Sequence, residues 1–431
     1  MIRRPFLLAA LGLAALAPSA AAAEHVPGEV VVRYAADAAV PGAAHAAAAV
    51  APRTRVVRTR RGQTVAERAA ELRGRPGVLS ATPNLIARAA YIPNDPGRAG
   101  IPGGWQELQW NFAGPFGVNA PAAWDHTGEA GRLGGAGVVV AVLDTGVAYA
   151  DHRSYARSPD LRGNRFVIGR DFVDGDGRPD DENGHGTHVA STIAETIDNG
   201  IGVTGLAFGA RIMPVRVLDR WGEGDSVAIS KGIRFAARRG AEIINLSFEF
   251  GAGVRPGQIP DILDALRYAH RKGVLVVGAS GNSSRMSVAY PARASAVLSV
   301  GATTEHGCLA DYSNQGRTLD LVAPGGGPDA ALAGDPNCRP AEPEGRSIVQ
   351  MTYRSSRRSF GLPTNYTGTS MATPHVSATA ALIIASGVIG AEPSPDALEA
   401  RLKATARDLG APGPDRTYGA GLVDAAAATV R

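Results

Sequence analysis

GVVVAVLDTG, residues 137–146, decides how this chain folds. Its near-continuous apolar run suits a strand buried on both faces, and it stops at Asp144 followed by Thr145 and Gly146. Runs of the same kind recur at 210–219 (ARIMPVRVLD), 241–248 (AEIINLSF), 273–280 (GVLVVGAS), 296–303 (AVLSVGAT) and 319–325 (LDLVAPG). Between them, SVAISKGIRFAARRG (226–240) and DILDALRYAHRKG (261–273) carry helical periodicity. Buried strands joined by helices imply an α/β fold: a doubly wound, mostly parallel sheet with helices on both faces. In such sheets sites form at the carboxyl ends of the strands. Asp144 lies at one such end, and Asn282 follows another. ATPHVSATAALIIASG (372–387), entered through Ser370, reads as a further helix with Pro374 in its first turn.

Two more motifs join the first. His185 lies in NGHGTHVA and Ser370 in GTSMATPHV. A serine hydroxyl is a weak nucleophile at neutral pH. It needs a histidine to take its proton and a carboxylate to fix that histidine's tautomer. Asp144, His185 and Ser370 supply the three parts. His188, three residues beyond His185, is expected to pack inside its helix. A tetrahedral intermediate also needs donors aimed at its oxyanion. The backbone N–H of Ser370, at a helix start, is one candidate.

The N-terminus reads as an export signal. Arg3 and Arg4 precede an apolar run from Phe6 to Ala17 and then small residues, with cleavage expected near Ala22 or Ala23. That run is too short for a permanent membrane anchor. The later apolar stretch after Ser370 is broken by Pro374 and His375. The expected location is therefore secreted or periplasmic.

Residues 24–90 read as a small α+β domain. In PGEVVVRY, Val30 and Val32 share one face, and Val31 and Arg33 the other. TVAERAAELRGRPGV reads as a helix with Thr64 as N-cap and Glu67 closing a capping box. VLSATPNLIARAA supplies further strand, and the Pro/Gly-rich stretch after Tyr91 a linker. The chain has 44 basic and 40 acidic residues. Setting aside two Arg in 1–23, and ten Arg and five acids in 24–90, leaves 32 basic and 35 acidic residues, a net −3. The basic character sits in the segments expected to be removed, which argues against a nucleic-acid partner. An exported chain can keep a disulfide. Cys308 and Cys338 would close a loop of about thirty residues, stabilising by roughly 3–4 kcal/mol in the chain-entropy model. The other reading is two unpaired buried thiols.

From Ile92 onward these motifs, in the order Asp, His, Ser, make the chain similar to the subtilase (subtilisin-like) serine proteases, with thermitase-type members nearest in look. The resemblance implies a subtilisin-like fold for residues 91–431 and endopeptidase activity on protein or peptide substrates. It implies Asp144, His185 and Ser370 as triad, and Asn282 with Ser370 as oxyanion hole. Substrate would pair along Gly222–Gly224 (Gly222 and Gly224 flanking Glu223) and along Ser247, Phe248 and Glu249. The family commonly has Ser-Leu-Gly at the second edge. Glu249 either favours basic residues near the cleavage point or faces water. Ala289 would floor the primary specificity pocket and leave room for medium or large apolar side chains. Residues 24–90 resemble the family's inhibitor-like propeptides, with self-cleavage near Ala90–Tyr91. A monomer is expected.

The resemblance also implies structural calcium and no catalytic metal. DFVDGDGRPDD would bind through Asp171, Asp174, Asp176, Asp180 and the Arg178 carbonyl. A second site would use Asp95, Asp160, Asn199 and the carbonyls of Ile197, Ile201 and Val203. Residues 326–364 are longer than the family needs, and no motif in them assigns a role. Two other readings share the machinery: a non-catalytic scaffold, and transfer of the acyl group to an amine in place of water.

Overall fold

The computed structural model describes residues 25–35, 53–85, 91–164 and 166–430. The expected signal, the Ala-rich stretch at 36–52 and the expected processing point at Ala90 lie outside them. The chain divides into two compact units, with the boundary between Ala89 and Ala90.

In the first unit, β1 (His25–Tyr34) is the middle strand of an antiparallel sheet, between β2 (Arg53–Arg58) and β3 (Val78–Leu85). Alternation does what it should: Val30, Val32 and Tyr34 are buried against Ala69 and Leu72 of α1 (Val65–Arg73). The Thr64 hydroxyl accepts the Glu67 N–H, and the Glu67 carboxylate accepts the Thr64 N–H, so the capping box is complete.

The second unit opens with short helices α2 (Trp105–Leu108), α3 (Trp110–Ala113) and α4 (Ala120–Glu129). It is built on a seven-stranded sheet in the order β10-β9-β8-β7-β4-β6-β5, every pairing parallel. The strands are β4 (Val139–Asp144), β5 (Arg170–Asp171), β6 (Arg211–Arg216), β7 (Ile243–Leu246), β8 (Leu275–Ala279), β9 (Leu298–Thr303) and β10 (Leu321–Pro324). Within β4 the pleat sends Val140 and Val142 to one core, with α5 (His185–Ala194) and α8 (Thr369–Ser386). Val139, Ala141 and Leu143 go to the opposite core, with α6 (Ser226–Arg238) and α7 (Pro260–Arg271). α9 (Pro395–Ala404) and α10 (Ala425–Thr429) close the chain, and a hairpin, β11 (Thr352–Ser356) with β12 (Ser359–Gly361), precedes α8. Because β6 and β7 lie on either side of β4, Asp144 ends the strand where the connections change direction. Ligands bind at such points.

Helix α8 has no separate polar face and is buried along nearly its whole length, its Thr, Ser and His side chains included. It begins at Thr369, so Pro374 sits in the second turn and not, as the sequence suggests, in the first. Proline has no N–H for the carbonyl four residues back, which is that of Ser370. The Ser247 hydroxyl donates to that carbonyl at 2.8 Å instead. Cys308 and Cys338 form a disulfide with S–S 2.03 Å, so the reading of two free thiols is set aside. Among the described residues no helix is long and apolar enough to cross a membrane.

Candidate active site

Asp144 is fully buried. Its Oδ1 lies 2.7 Å from His185 Nδ1 and also accepts the Thr145 N–H at 2.7 Å. Its Oδ2 is buried without a hydrogen-bond partner among the described residues. His185 opens α5 and keeps a quarter of its side chain exposed. Burial disfavours its charged form, but attraction to Asp144 and their hydrogen bond, with Asp181 behind, outweigh it and raise the pKa. A buried carboxylate that fixes Nδ1 leaves Nε2 as the ring nitrogen able to take up a proton. His188 behaves as a core residue. It is fully buried, stacks on Tyr366 at 4.2 Å, donates from Nε2 to the Ile348 carbonyl at 3.1 Å, and has its pKa pushed down to about 3 chiefly by burial.

Ser370 is the second residue of α8. Its hydroxyl donates to the Ser247 carbonyl at 2.9 Å, and no hydrogen bond joins it to His185. Catalytic contacts of this kind often tighten only when substrate arrives. Asn282 follows β8. Its Oδ1 accepts both the N–H (2.8 Å) and the hydroxyl (2.9 Å) of Thr369, so its amide Nδ2 is the end left for an oxyanion. A Cβ on Gly368 would stand 3.7 Å from both Asn282 Nδ2 and the Ser370 nitrogen. Glycine there, at φ 147°, leaves the space between the two donors clear.

Two supports were not legible as such. Asp181, fully buried, accepts five hydrogen bonds: from Thr145 Oγ1, the N–H groups of Asn183, Gly184 and Thr187, and Thr187 Oγ1. It ties the strand end carrying Asp144 to the helix start carrying His185. The only hint was an acid at a helix N-terminus, where the dipole favours one. The second support is the long segment before α8. Thr352 Oγ1 donates to the Gly184 carbonyl at 2.6 Å, Ser191 Oγ to the Met351 carbonyl at 3.0 Å, and Tyr353 Oη to the Asp181 carbonyl at 3.0 Å. That segment braces the outer side of α5.

Of the two expected substrate edges, Ser247 meets the serine directly, its carbonyl accepting the Ser370 hydroxyl. Gly224 is obligatory, since a Cβ would fall 2.3 Å from the Val217 carbonyl, and Trp221 stands exposed beside Gly222 and Glu223. Phe248 packs on the second core. Ala289 and Glu249 line a pocket of about 320 Å³ that also takes in Val288, Tyr290, Asn314 and the loop from Gly251 to Arg255. Glu249 does not simply face water: its Oε1 accepts the Asn282 N–H at 2.8 Å.

The two acidic clusters differ. Among the described residues no group of three or more His, Cys, Asp or Glu is placed to hold a metal ion outright. In the loop, the buried Arg216 guanidinium meets Asp171 at 2.9 Å, Asp174 at 2.7 Å and Glu182 at 2.8 Å, and so supplies much of the countercharge. Asp176 accepts the Arg178 N–H, and the Arg178 carbonyl accepts the Asp180 N–H. Asp180 is buried, has among the described residues only His152 at 3.8 Å as ion-pair partner, and has its pKa raised to about 6 mainly by burial. The second cluster is more demanding of a cation. Asp95 and Asp160 are fully buried, and burial raises Asp160 to about 8. Asn199 Nδ2 donates to Asp160 at 2.7 Å, and the N–H groups of Asp198 and Asn199 donate to Asp95. The carbonyls of Ile197, Ile201 and Val203 accept no backbone hydrogen bond among the described residues. Glu195, absent from the expected ligand set, is buried beside Asp160 with Oε2 unpartnered among the described residues, and its pKa is raised well above the ordinary carboxylate value.

Comparison with known proteins places this geometry. Residues 135–421 match the model of the subtilase family of peptidases. Residues 14–84 match the fervidolysin N-terminal prodomain, from a point inside the expected signal. The chain is 38% identical to subtilisin Savinase of Lederbergia lenta over 326 residues, covering 75% of this chain and 99% of that protein. It is 35% identical to thermitase of Thermoactinomyces vulgaris over 297 residues, covering 69% and 87%. A solved protease of Pseudoalteromonas arctica PAMC 21717 aligns with TM-score 0.62 and 31% identity over 79% of this chain and 99% of its own. Structural calcium is general among such proteins. The chain belongs to the subtilase family and is a subtilisin-like serine endopeptidase with an N-terminal prodomain.

Proposed function

We propose that this protein is an exported endopeptidase, made as a self-processing zymogen, that cuts peptide bonds through Asp144, His185 and Ser370. The 2.7 Å Asp144–His185 pair at the carboxyl edge of the sheet carries the reading. In this mechanism a peptide pairs along Ser247–Glu249 and Gly222–Gly224. Ser370 Oγ leaves the Ser247 carbonyl and attacks the scissile carbon while His185 Nε2 takes its proton. Asp144 holds the resulting imidazolium. Asn282 Nδ2 and the Ser370 N–H receive the oxyanion. His185 then protonates the leaving amine, and water, deprotonated by the same histidine, releases the acyl group.

Residues 1–23 direct export to the periplasm or the medium, and residues 24–90 act as inhibitor until cleavage near Ala90–Tyr91. Calcium is structural. Asp95, Asp160, Asn199 and the carbonyls of Ile197, Ile201 and Val203 would hold one ion, and Asp176, Asp180 and their neighbours in the 171–180 loop a second. Neutralising buried carboxylates is the chemistry the ion supplies. The protein works as a monomer. The test is labelling with a serine-reactive fluorophosphonate followed by peptide mapping. The adduct is expected on Ser370, with casein hydrolysis lost in step. Label on another residue, or activity that survives complete labelling, would overturn the assignment.

A further inference from the structure

Glu249 stands at a position where its charge has no role in the mechanism above. Its carboxylate nevertheless has a built seat. Oε1 accepts the Asn282 N–H at 2.8 Å, and Oε2 lies 2.2 Å from where a Cβ on Gly281 would be. Gly281, at φ 106°, is therefore what makes room for the carboxylate. Glu249 projects from the edge that follows β7, whereas Gly281 and Asn282 follow β8. The side chain thus runs from the edge that follows β7, where Glu249 lines the 320 Å³ pocket two residues on from the Ser247 carbonyl that accepts the Ser370 hydroxyl, to the loop that follows β8.

Resting on the reading of this cleft as the peptide site, we propose that Glu249 is a specificity-determining residue. Its carboxylate closes the mouth of the primary pocket and sets a preference for small side chains, alanine above all, at the residue whose carbonyl is attacked (P1). A methyl group fits beneath the closed carboxylate. A large apolar side chain must expel it and break a charge-assisted hydrogen bond, without offering a replacement. The rest of the lining points the same way. Arg255, Arg285 and Arg293 share the pocket, and none has a carboxylate within 4 Å among the described residues. An apolar ring would have to desolvate charged walls. The proposed processing point presents alanine, Ala90, at P1.

The test uses the mature enzyme and quenched peptides identical except for Ala, Phe, Lys or Glu at P1. The wild type is expected to favour Ala over Phe by about tenfold or more in kcat/KM. E249G should narrow that ratio by about tenfold. E249Q, whose amide oxygen can still accept the Asn282 N–H, should keep the wild-type order. Phe at or above Ala in the wild type, or a ratio unmoved by E249G, overturns the proposal. So does a Lys preference lost in E249Q, which would make Glu249 an ion-pair partner, or a Glu preference, which would give the pocket to the arginines. A reordered profile sinks only this inference, whereas no cleavage of any of the four peptides sinks the peptidase reading as well.

Discussion

Replacing Asp181 with alanine removes the acceptor of five hydrogen bonds without touching substrate. The two threonine hydroxyls can turn elsewhere, and Asn183 is partly open to water. The N–H groups of Gly184 and Thr187 are buried and would be stranded. At about 1–3 kcal/mol for each stranded donor, the loss comes to roughly 2–6 kcal/mol, less what a water admitted to the cavity returns. About 3 kcal/mol is a reasonable centre, and it is a large part of a typical folding free energy. Asp181→Asn keeps the shape, but its amide group must face either the Thr187 donors or the loop N–H groups. It should lose about 2 kcal/mol. Both changes loosen the first turn of α5, so kcat should fall about tenfold or more while KM moves little. Urea unfolding in a Ser370→Ala background, which avoids autolysis, measures the first quantity, and peptide hydrolysis the second. An Asp181→Ala protein within 1 kcal/mol of its parent, with kcat unchanged, would refute the claim that this carboxylate aligns the base.

The other predictions concern the oxyanion donor, the base and the buried acids. Asn282→Ala should lower kcat by roughly 10²–10³ with KM nearly constant, measured on a soluble peptide. Only neutral His185 can accept a proton, and its pKa is raised by Asp144, so kcat/KM should climb with pH along a limb centred above 6.5. Asp144→Asn should move that limb downward, and a pH–rate profile reads both. Without a cation, Asp160 binds its proton more tightly folded than unfolded, because burial raises its pKa to about 8. Its linkage term therefore makes the calcium-free protein lose stability as pH rises from about 4 toward 8. Calcium should raise Tm, more at pH 8 than at pH 6, in melts of the Ser370→Ala protein with and without chelator. A chelator that leaves Tm unchanged at both pH values would remove both proposed ions.

What could be read in advance follows from physical range. Strands such as 138–144 and 273–280 announce themselves because burial on both faces demands unbroken apolar runs. The motifs around Asp144 and His185 are legible because close backbone approach there requires glycine neighbours, and the one around Ser370 because Gly368 holds φ 147°. Gly186, for example, would put a Cβ 2.1 Å from the Gly146 carbonyl. Arg216 is different: it lies 45 residues from Asp171 in sequence, so only the pairing of β5 with β6 brings its charge to the acidic loop. β5, at two residues, is too short to leave a pattern. Glu195 and Asp181 read as ordinary surface acids until the fold buries them. The fourth example is Glu249, where a departure from the family's usual glycine was visible in the sequence but its partner across the pocket was not.

The central claim is that Ser370, activated through His185 and Asp144, first acts on the chain's own N-terminal segment. The most direct measurement is to express residues 24–431 as wild type and as Ser370→Ala in calcium-containing buffer, then sequence each N-terminus. The account predicts that the wild type begins near Tyr91 while the mutant still begins at residue 24. Both proteins emerging intact, or both cleaved at the same place, would contradict it.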